Sequence, residues 1–259
     1  MIDLHCHVLP GIDDGPSTMD DAVEIVAAAA QAGTTTMVAT PHVSWDYPAN
    51  DAALIAGLVA DVNAAVAERG IEVEVKAGAE IALTRTADLS DDELTALRLG
   101  GGRWLLVEPP FTAASSGFET LFSSLVNRGH EIVIAHPERI VAFQRDPAII
   151  ERLVRGGMLT SVTAGSLVGR FGKDVRRFTL DLMRKGLVHN VASDAHSVVR
   201  RPPGMATELE CEGLGAHTER LTLDVPAAIL NGTSIPRLAE GTMVPAGQGG
   251  RLGRLLRRA

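Results

Sequence analysis

Short apolar runs alternate along the chain with longer segments whose apolar positions recur every three to four residues. The short runs predict strands and the longer segments predict helices. Strands are expected at 1–4, 35–40, 71–80, 104–108, 131–136, 158–163 and 189–196. The helices between them are expected at 18–33, 50–69, a short one opening at Ser90, then 118–128, 147–155 and 174–185. Two more helical segments are expected between 205 and 239. The boundaries carry their own chemistry: Ser17 or Thr18 caps the first helix, Asp20 and Asp21 occupy its first turn, and Gly33 ends it. Asp91, Asp92 and Glu93 follow Ser90 in the same way, and Gly70, Gly156 and Gly186 mark further helix ends.

Seven strand–helix units without a break in composition imply a parallel sheet with right-handed crossovers. Seven suit a barrel, complete or distorted, better than two domains. The expectation is one catalytic domain over 1–245 and a basic C-terminal tail over 246–259, where Arg251, Arg254, Arg257 and Arg258 alternate with Leu252, Leu255 and Leu256. Such a tail is suited to an acidic membrane face or a protein partner, or is simply a solvated terminus.

Composition narrows the picture. Aromatic residues make up only 3% of the 259, so the core is built from Ala, Val, Leu and Ile, as in a parallel sheet covered by helices. A formal charge of −8 provides no overall basic field to recruit nucleic acid. It is compatible with an anionic substrate if carboxylates gather divalent cations. The two cysteines, Cys6 and Cys211, have no framework spacing, which fits a reducing compartment. No basic stretch followed by an apolar leader opens the chain, and no apolar run is long enough to span a bilayer. The protein is expected to be cytoplasmic.

Ionisable residues fall at the strand ends with unusual regularity. His5 and His7 follow the first strand, His42 the second, Glu80 the third, Glu108 the fourth and His136 the fifth, while Asp194 and His196 end the seventh. In parallel α/β folds the carboxyl ends of the strands carry the active site. With Asp14 from the first loop, nine possible metal ligands converge on one mouth. Residues two apart in extended chain point to one face, so His5 and His7 can grip one ion while Cys6 points away, and Asp194 and His196 repeat that geometry. Imidazole and carboxylate without thiolate suit manganese, zinc or iron. At about four protein ligands per ion, with one carboxylate bridging, nine ligands serve three ions. A lone His-x-His pair could be a polar rim, but a whole pole of ligand-type residues is not. His130, His189 and His217 lie outside the pole and read as ordinary.

The segments "IDLHCH", "TPH", the glutamate of "GAE", "AHPER" and "SDAH" together resemble the PHP (polymerase and histidinol phosphatase) superfamily. "HCHVLPGIDDGP", "ATPHV", "AHPER" and "ASDAHSVVRRPPGM" are similar to its branch of manganese-dependent protein-tyrosine phosphatases, which occur with capsule and exopolysaccharide genes and act on bacterial tyrosine autokinases. The likeness runs from residue 1 to about 239. It implies a distorted (β/α)7 TIM-like barrel of the PHP type with a trinuclear centre of divalent ions, manganese foremost with zinc or iron(II) as alternatives. Carried onto this chain, one ion takes His5, His7, Glu80 and Asp194, a second takes Glu80, Glu108 and His136, and the third takes Asp14, His42 and His196. Asp13 competes with Asp14. The resemblance also implies two phosphate-holding arginines, Arg139 and Arg201, with Arg200 competing for the second place, and a phosphotyrosyl protein such as a tyrosine kinase as partner. One departure stands out: Pro109 and Pro110 occupy the place after Glu108 where the branch has an aromatic, and Phe111 restores part of that wall.

The expected chemistry is phosphomonoester hydrolysis by a metal-activated hydroxide. A cysteine phosphatase needs an Arg six residues after its Cys, but Cys6 leads to Ile12 and Cys211 to His217. The alternatives are a histidinol-phosphate phosphatase of the same superfamily and a non-catalytic binding module.

Overall fold

In the computed structural model, which describes residues 1–236, nine strands alternate with helices. The strands are β1 (Ile2–Cys6), β2 (Thr36–Ala39), β3 (His42–Val43), β4 (Glu74–Ala77), β5 (Glu80–Ala82), β6 (Trp104–Glu108), β7 (Glu131–Ala135), β8 (Leu159–Thr163) and β9 (Asn190–Ala192). The helices are α1 (Met19–Gln31), α2 (Ala52–Glu68), α3 (Asp91–Ala96), α4 (Phe118–Asn127), α5 (Val141–Arg145), α6 (Pro147–Arg155), α7 (Ala164–Leu167), α8 (Lys173–Arg184), α9 (Ala206–Cys211) and α10 (Val225–Asn231). The tail expected at 246–259 lies outside the described residues.

Every pair of neighbouring strands is parallel. They form two sheets, β1-β2-β4 and β3-β5-β6-β7-β8-β9. The second and third strands expected from the sequence are therefore each two strands. Each break has an identifiable cause. Pro41 has no N–H to give to a ladder. At Gly78 an added Cβ would stand 2.8 Å from Val38 Cγ1 and 3.2 Å from Leu99 Cδ2, so only glycine passes. Beyond these breaks His42 and Glu80 open β3 and β5 and pair directly with each other. His5 likewise lies inside β1, not after it.

Helix caps follow the expected chemistry with small shifts. Thr18 Oγ1 accepts from the Asp21 N–H at α1, and Ser90 with Glu93 makes a reciprocal capping box at α3. Asp51, not Asn50, caps α2. Asn50 instead donates from its amide to the carbonyls of Ile12 (2.9 Å) and His42 (2.8 Å), tying together two loops at the mouth.

The two sheets meet along a narrow seam between β1 and the chain just past β9. Cys6 and Ala195 form a parallel bridge. The His7 N–H donates to the Ala195 carbonyl and the Asp194 N–H to the His5 carbonyl, both at 2.8 Å. Fully buried Asp3 fastens this seam, accepting from the Ser193 N–H (3.0 Å), the Ser193 hydroxyl and the His5 N–H (3.3 Å). Next to it lies a compact apolar cluster of Leu4, Val38, Leu106, Val133, Ala135 and Leu159, covered by Val225 and Ile229 of α10. Leu4 and Ala135 immediately precede His5 and His136, so packed hydrocarbon fixes the strands that carry those imidazoles. A larger cluster packs the helices against the outer faces of the strands.

Asp3→Ala strands the Ser193 donors in a dry seam and should lower unfolding free energy by about 2–4 kcal/mol. Urea unfolding measures it, and a change below about 0.5 kcal/mol would mean that water replaces the carboxylate.

Candidate metal centre

The strand ends bring all nine expected ligands to one pole. Glu80 sits at the centre of the group. Its Oε1 accepts from His136 Nε2 at 2.8 Å. Its Oε2 faces His42 Nδ1 (3.1 Å), His5 Nε2 (3.3 Å) and His7 Nε2 (3.4 Å) without forming a hydrogen bond. Glu108 Oε1 lies 3.3 Å from the same His136 nitrogen. Asp194 divides its two oxygens: Oδ1 faces His5 Nε2 (3.6 Å), His7 Nε2 (3.7 Å) and His196 Nδ1 (3.7 Å), and Oδ2 faces away from them toward two arginines. Asp14 Oδ1 stands 3.2 Å from His196 Nε2 and 3.4 Å from His42 Nε2.

Ligand atoms within 4.8 Å of one another fall into four overlapping groups: His5, His7 and Glu80; His5, His136 and Asp194; His42, Glu80 and Glu108; His7, Asp14, His42 and His196. The donors are so closely packed that the expected division into three sets is one of several that the spacing allows.

Surrounding groups fix which nitrogens point inward. Asp13 accepts from His7 Nδ1 at 2.7 Å and is itself held by the Gly15 and His42 N–H groups (2.9 and 3.2 Å), which turns His7 Nε2 toward the pole. His196 Nδ1 bonds to the Asp194 carbonyl at 3.0 Å, which leaves its Nε2 inward. Asp14, not Asp13, therefore faces the donor cluster, and Asp13 orients an imidazole. This support was invisible in the sequence, where the two aspartates are adjacent and equivalent.

The carboxylates of the pole favour positive charge on the imidazoles beside them. Burial opposes charge on His7 and on His136, yet the carboxylates of Asp13 and Glu80 raise His7 to about 10, and those of Glu80 and Glu108 raise His136 to about 10. Contacts from His196 and His42 hold the Asp14 carboxyl well below its usual range. Asp194 is fully buried, but the charges of His5, Arg201 and His136 hold its carboxyl far below the usual range. The donor set fits divalent ions. Oxygen and imidazole nitrogen are the only ligand types, Glu80 Oε2 and His136 Nδ1 are buried without hydrogen bonds, and the Nε2 atoms of His5 and His7 face each other at 3.3 Å, which a shared ion reconciles. Among the described residues His136 and Asp194 are the two non-glycine residues with positive φ, 28° and 53°. Backbone strain is thus concentrated at two donors.

Two guanidinium groups border the donors. Arg139 Nη1 donates to Asp194 Oδ2 at 2.8 Å, and Arg201 Nη2 forms an ion pair with the same oxygen. Arg201 Nη1 also lies 2.9 Å from His196 Nε2. Arg200 is exposed and turned out of this group. A cavity of about 360 Å³ opens over the centre, with Trp45, Tyr47 and Phe111 in its walls beside both arginines. Tyr47 stacks on His42 and Phe111 on His136. Trp45 and Tyr47 gave no sequence signal beyond their rarity. Cys6 is buried, its Sγ bonded to the Val38 carbonyl at 3.2 Å, and burial pushes its thiol up. No helix among the described residues is long and apolar enough to cross a membrane.

A parallel α/β fold with clustered imidazoles and carboxylates at the carboxyl ends of its strands defines a class of proteins built around bound metal. Within that class the chain belongs to the CpsB/CapC family of capsular polysaccharide synthesis, whose profile matches residues 1–230. It is 36% identical over 201 residues to the tyrosine-protein phosphatase YwqE of Bacillus subtilis, covering 78% of this chain and 79% of that one. It is 26% identical over 238 residues to the tyrosine-protein phosphatase CpsB of Streptococcus pneumoniae, covering 89% and 98%. Its fold matches, with a TM-score of 0.81 and 32% identity over 92% of this chain and 97% of the other, a crystal structure from work on YwqE and CpsB that describes them as unique metal-dependent tyrosine phosphatases.

Proposed function

We propose that this protein is a metal-dependent protein-tyrosine phosphatase that hydrolyses the phosphomonoester of phosphotyrosyl proteins, a bacterial tyrosine kinase among them. The observation that carries this reading is the convergence of nine candidate metal donors and two arginines at one pole, seven of the donors and both arginines lining its cavity, in a chain whose relatives bear that activity. We read the two sheets together as a distorted (β/α)7 barrel, with the Cys6–Ala195 bridge as support, and residues 1–245 as one catalytic unit.

The centre is read as holding three divalent ions, manganese foremost. His5, His7, Glu80 and Asp194 would hold one, Glu80, Glu108 and His136 a second, and Asp14, His42 and His196 the third. Bound there, such ions lower the pKa of water toward ~7 and offset phosphate charge. The chain's own residues do the rest. Glu80 spans two sets of donors with its two oxygens. Asp13 keeps His7 in the ligating tautomer. The forked donors of Arg139 and Arg201 match the equatorial phosphoryl oxygens, where charge builds in the transition state. Trp45, Tyr47 and Phe111 offer apolar walls to the phenyl ring of the leaving group. A phenolate, with a parent pKa of ~10, leaves with little help from an acid.

Parallel assays of a phosphotyrosyl peptide and histidinol phosphate, each with and without exhaustive chelation, test the reading. The peptide should be strongly preferred, chelation should abolish its turnover, and thiol alkylation should not. Preference for histidinol phosphate, activity that survives metal removal, or a fully loaded protein inert to both esters would each refute it.

A further inference from the structure

The turn between α7 and α8 places one ring beside both arginines. The Phe171 centroid lies 4.5 Å from the Arg139 guanidinium carbon and 5.8 Å from that of Arg201. Both guanidiniums also pair with the same Asp194 oxygen, so two like charges share a small space. The negative face of an aromatic ring offsets part of that repulsion and restricts the rotamers of both side chains. Arg201 needs such restraint, because its Nε is buried with no hydrogen-bond partner among the described residues.

The turn is built to hold the ring in place. Gly169 and Gly172 take φ of 79° and 98° on either side of it, and the Gly172 N–H donates to the Gly169 carbonyl at 2.9 Å. The Arg170 N–H donates to the Gly165 carbonyl at 2.9 Å, and its guanidinium reaches toward Glu208 of α9 at 3.7 Å. The turn is thus pinned to α7 and α9 while its central side chain faces the arginines.

We infer that Phe171 is a positioning residue for phosphate recognition: its ring holds Arg139 and Arg201 in one arrangement, so that phosphate meets donors already ordered. This rests on the reading of those arginines as the phosphate grip. Ordering them in advance lowers the cost of binding.

The test uses metal-loaded protein carrying Phe171→Leu, which retains apolar volume, and Phe171→Tyr, which retains the ring. Two quantities are read: KM for a phosphotyrosyl peptide, and the dissociation constant of inorganic phosphate by calorimetry. Phe171→Leu should raise both about tenfold, with kcat within about threefold of the parent and full metal content. Phe171→Tyr should stay within about twofold on each. Phosphate affinity unchanged in Phe171→Leu would overturn the inference. So would equal losses in the leucine and tyrosine variants, or loss of metal in step with affinity, which marks a merely structural role. If the parent protein binds phosphate but turns over no phosphotyrosyl peptide, the phosphatase reading fails, and calorimetry still decides the role of Phe171.

Discussion

Glu80→Gln should release bound metal and cut turnover of a phosphotyrosyl peptide by about a thousandfold or more. The reason lies in what surrounds the carboxylate. Its two oxygens meet ring nitrogens of four imidazoles, His5, His7, His42 and His136, all within 3.4 Å. Glutamine keeps the shape but loses the charge, and it turns an amide N–H toward nitrogens that the proposed centre needs free as ligands. Elemental analysis of the purified variant, run beside the peptide assay, measures both effects. Glu68→Gln, on the exposed side of α2, is the control and should match the parent. A Glu80→Gln protein with full metal content and normal turnover would remove Glu80 from the centre.

Removal of an arginine should be nearly as damaging, through a different quantity. Arg139→Ala should lower kcat/KM by about 10²–10³-fold while metal content stays at the level of the parent. Arg139→Lys should restore little of it. An ammonium lacks the fork that spans two phosphate oxygens and the flat face that lies against Phe171 and Phe111. Because Arg139 and Arg201 share Asp194, the double variant should lose less than the product of the two single losses. Steady-state kinetics with the peptide, run on both single alanine variants, the double variant and Arg139→Lys, gives each of these losses. Full rescue by lysine would mean that only a positive charge is needed at this point.

The donors could be read from the sequence because strand-end chemistry is local. A His-x-His in an extended run and an acid closing an apolar run carry their meaning within a few residues. The strand breaks at Pro41 and Gly78 were harder to read. The break at Gly78 depends on neighbours distant in sequence, Val38 and Leu99, whereas that at Pro41 follows from proline's own missing N–H; each converts one expected strand into two. The difference between Asp13 and Asp14 also had no local signal, since it arises from which imidazole each meets across the mouth. Phe171 was unreadable for the same reason. It lies 32 residues from Arg139 and 30 from Arg201, and only folding sets its ring beside both. The motifs named the residues that gather at the pole, whereas the groups that orient them are found by packing.

The seam between β1 and the Asp194 segment bears on how the protein is made. Asp3 and Ser193 are 190 residues apart in the chain. At ordinary translation speeds the opening strand leaves the ribosome roughly 10–40 s before its second neighbour exists. During that time His5 and His7, two of the proposed ligands, would stand without Asp194 and His196 beside them. A nascent chain cut short of Ser193 would keep most of its helices yet lack one side of the pole, so the proposed centre would be completed only near the end of synthesis.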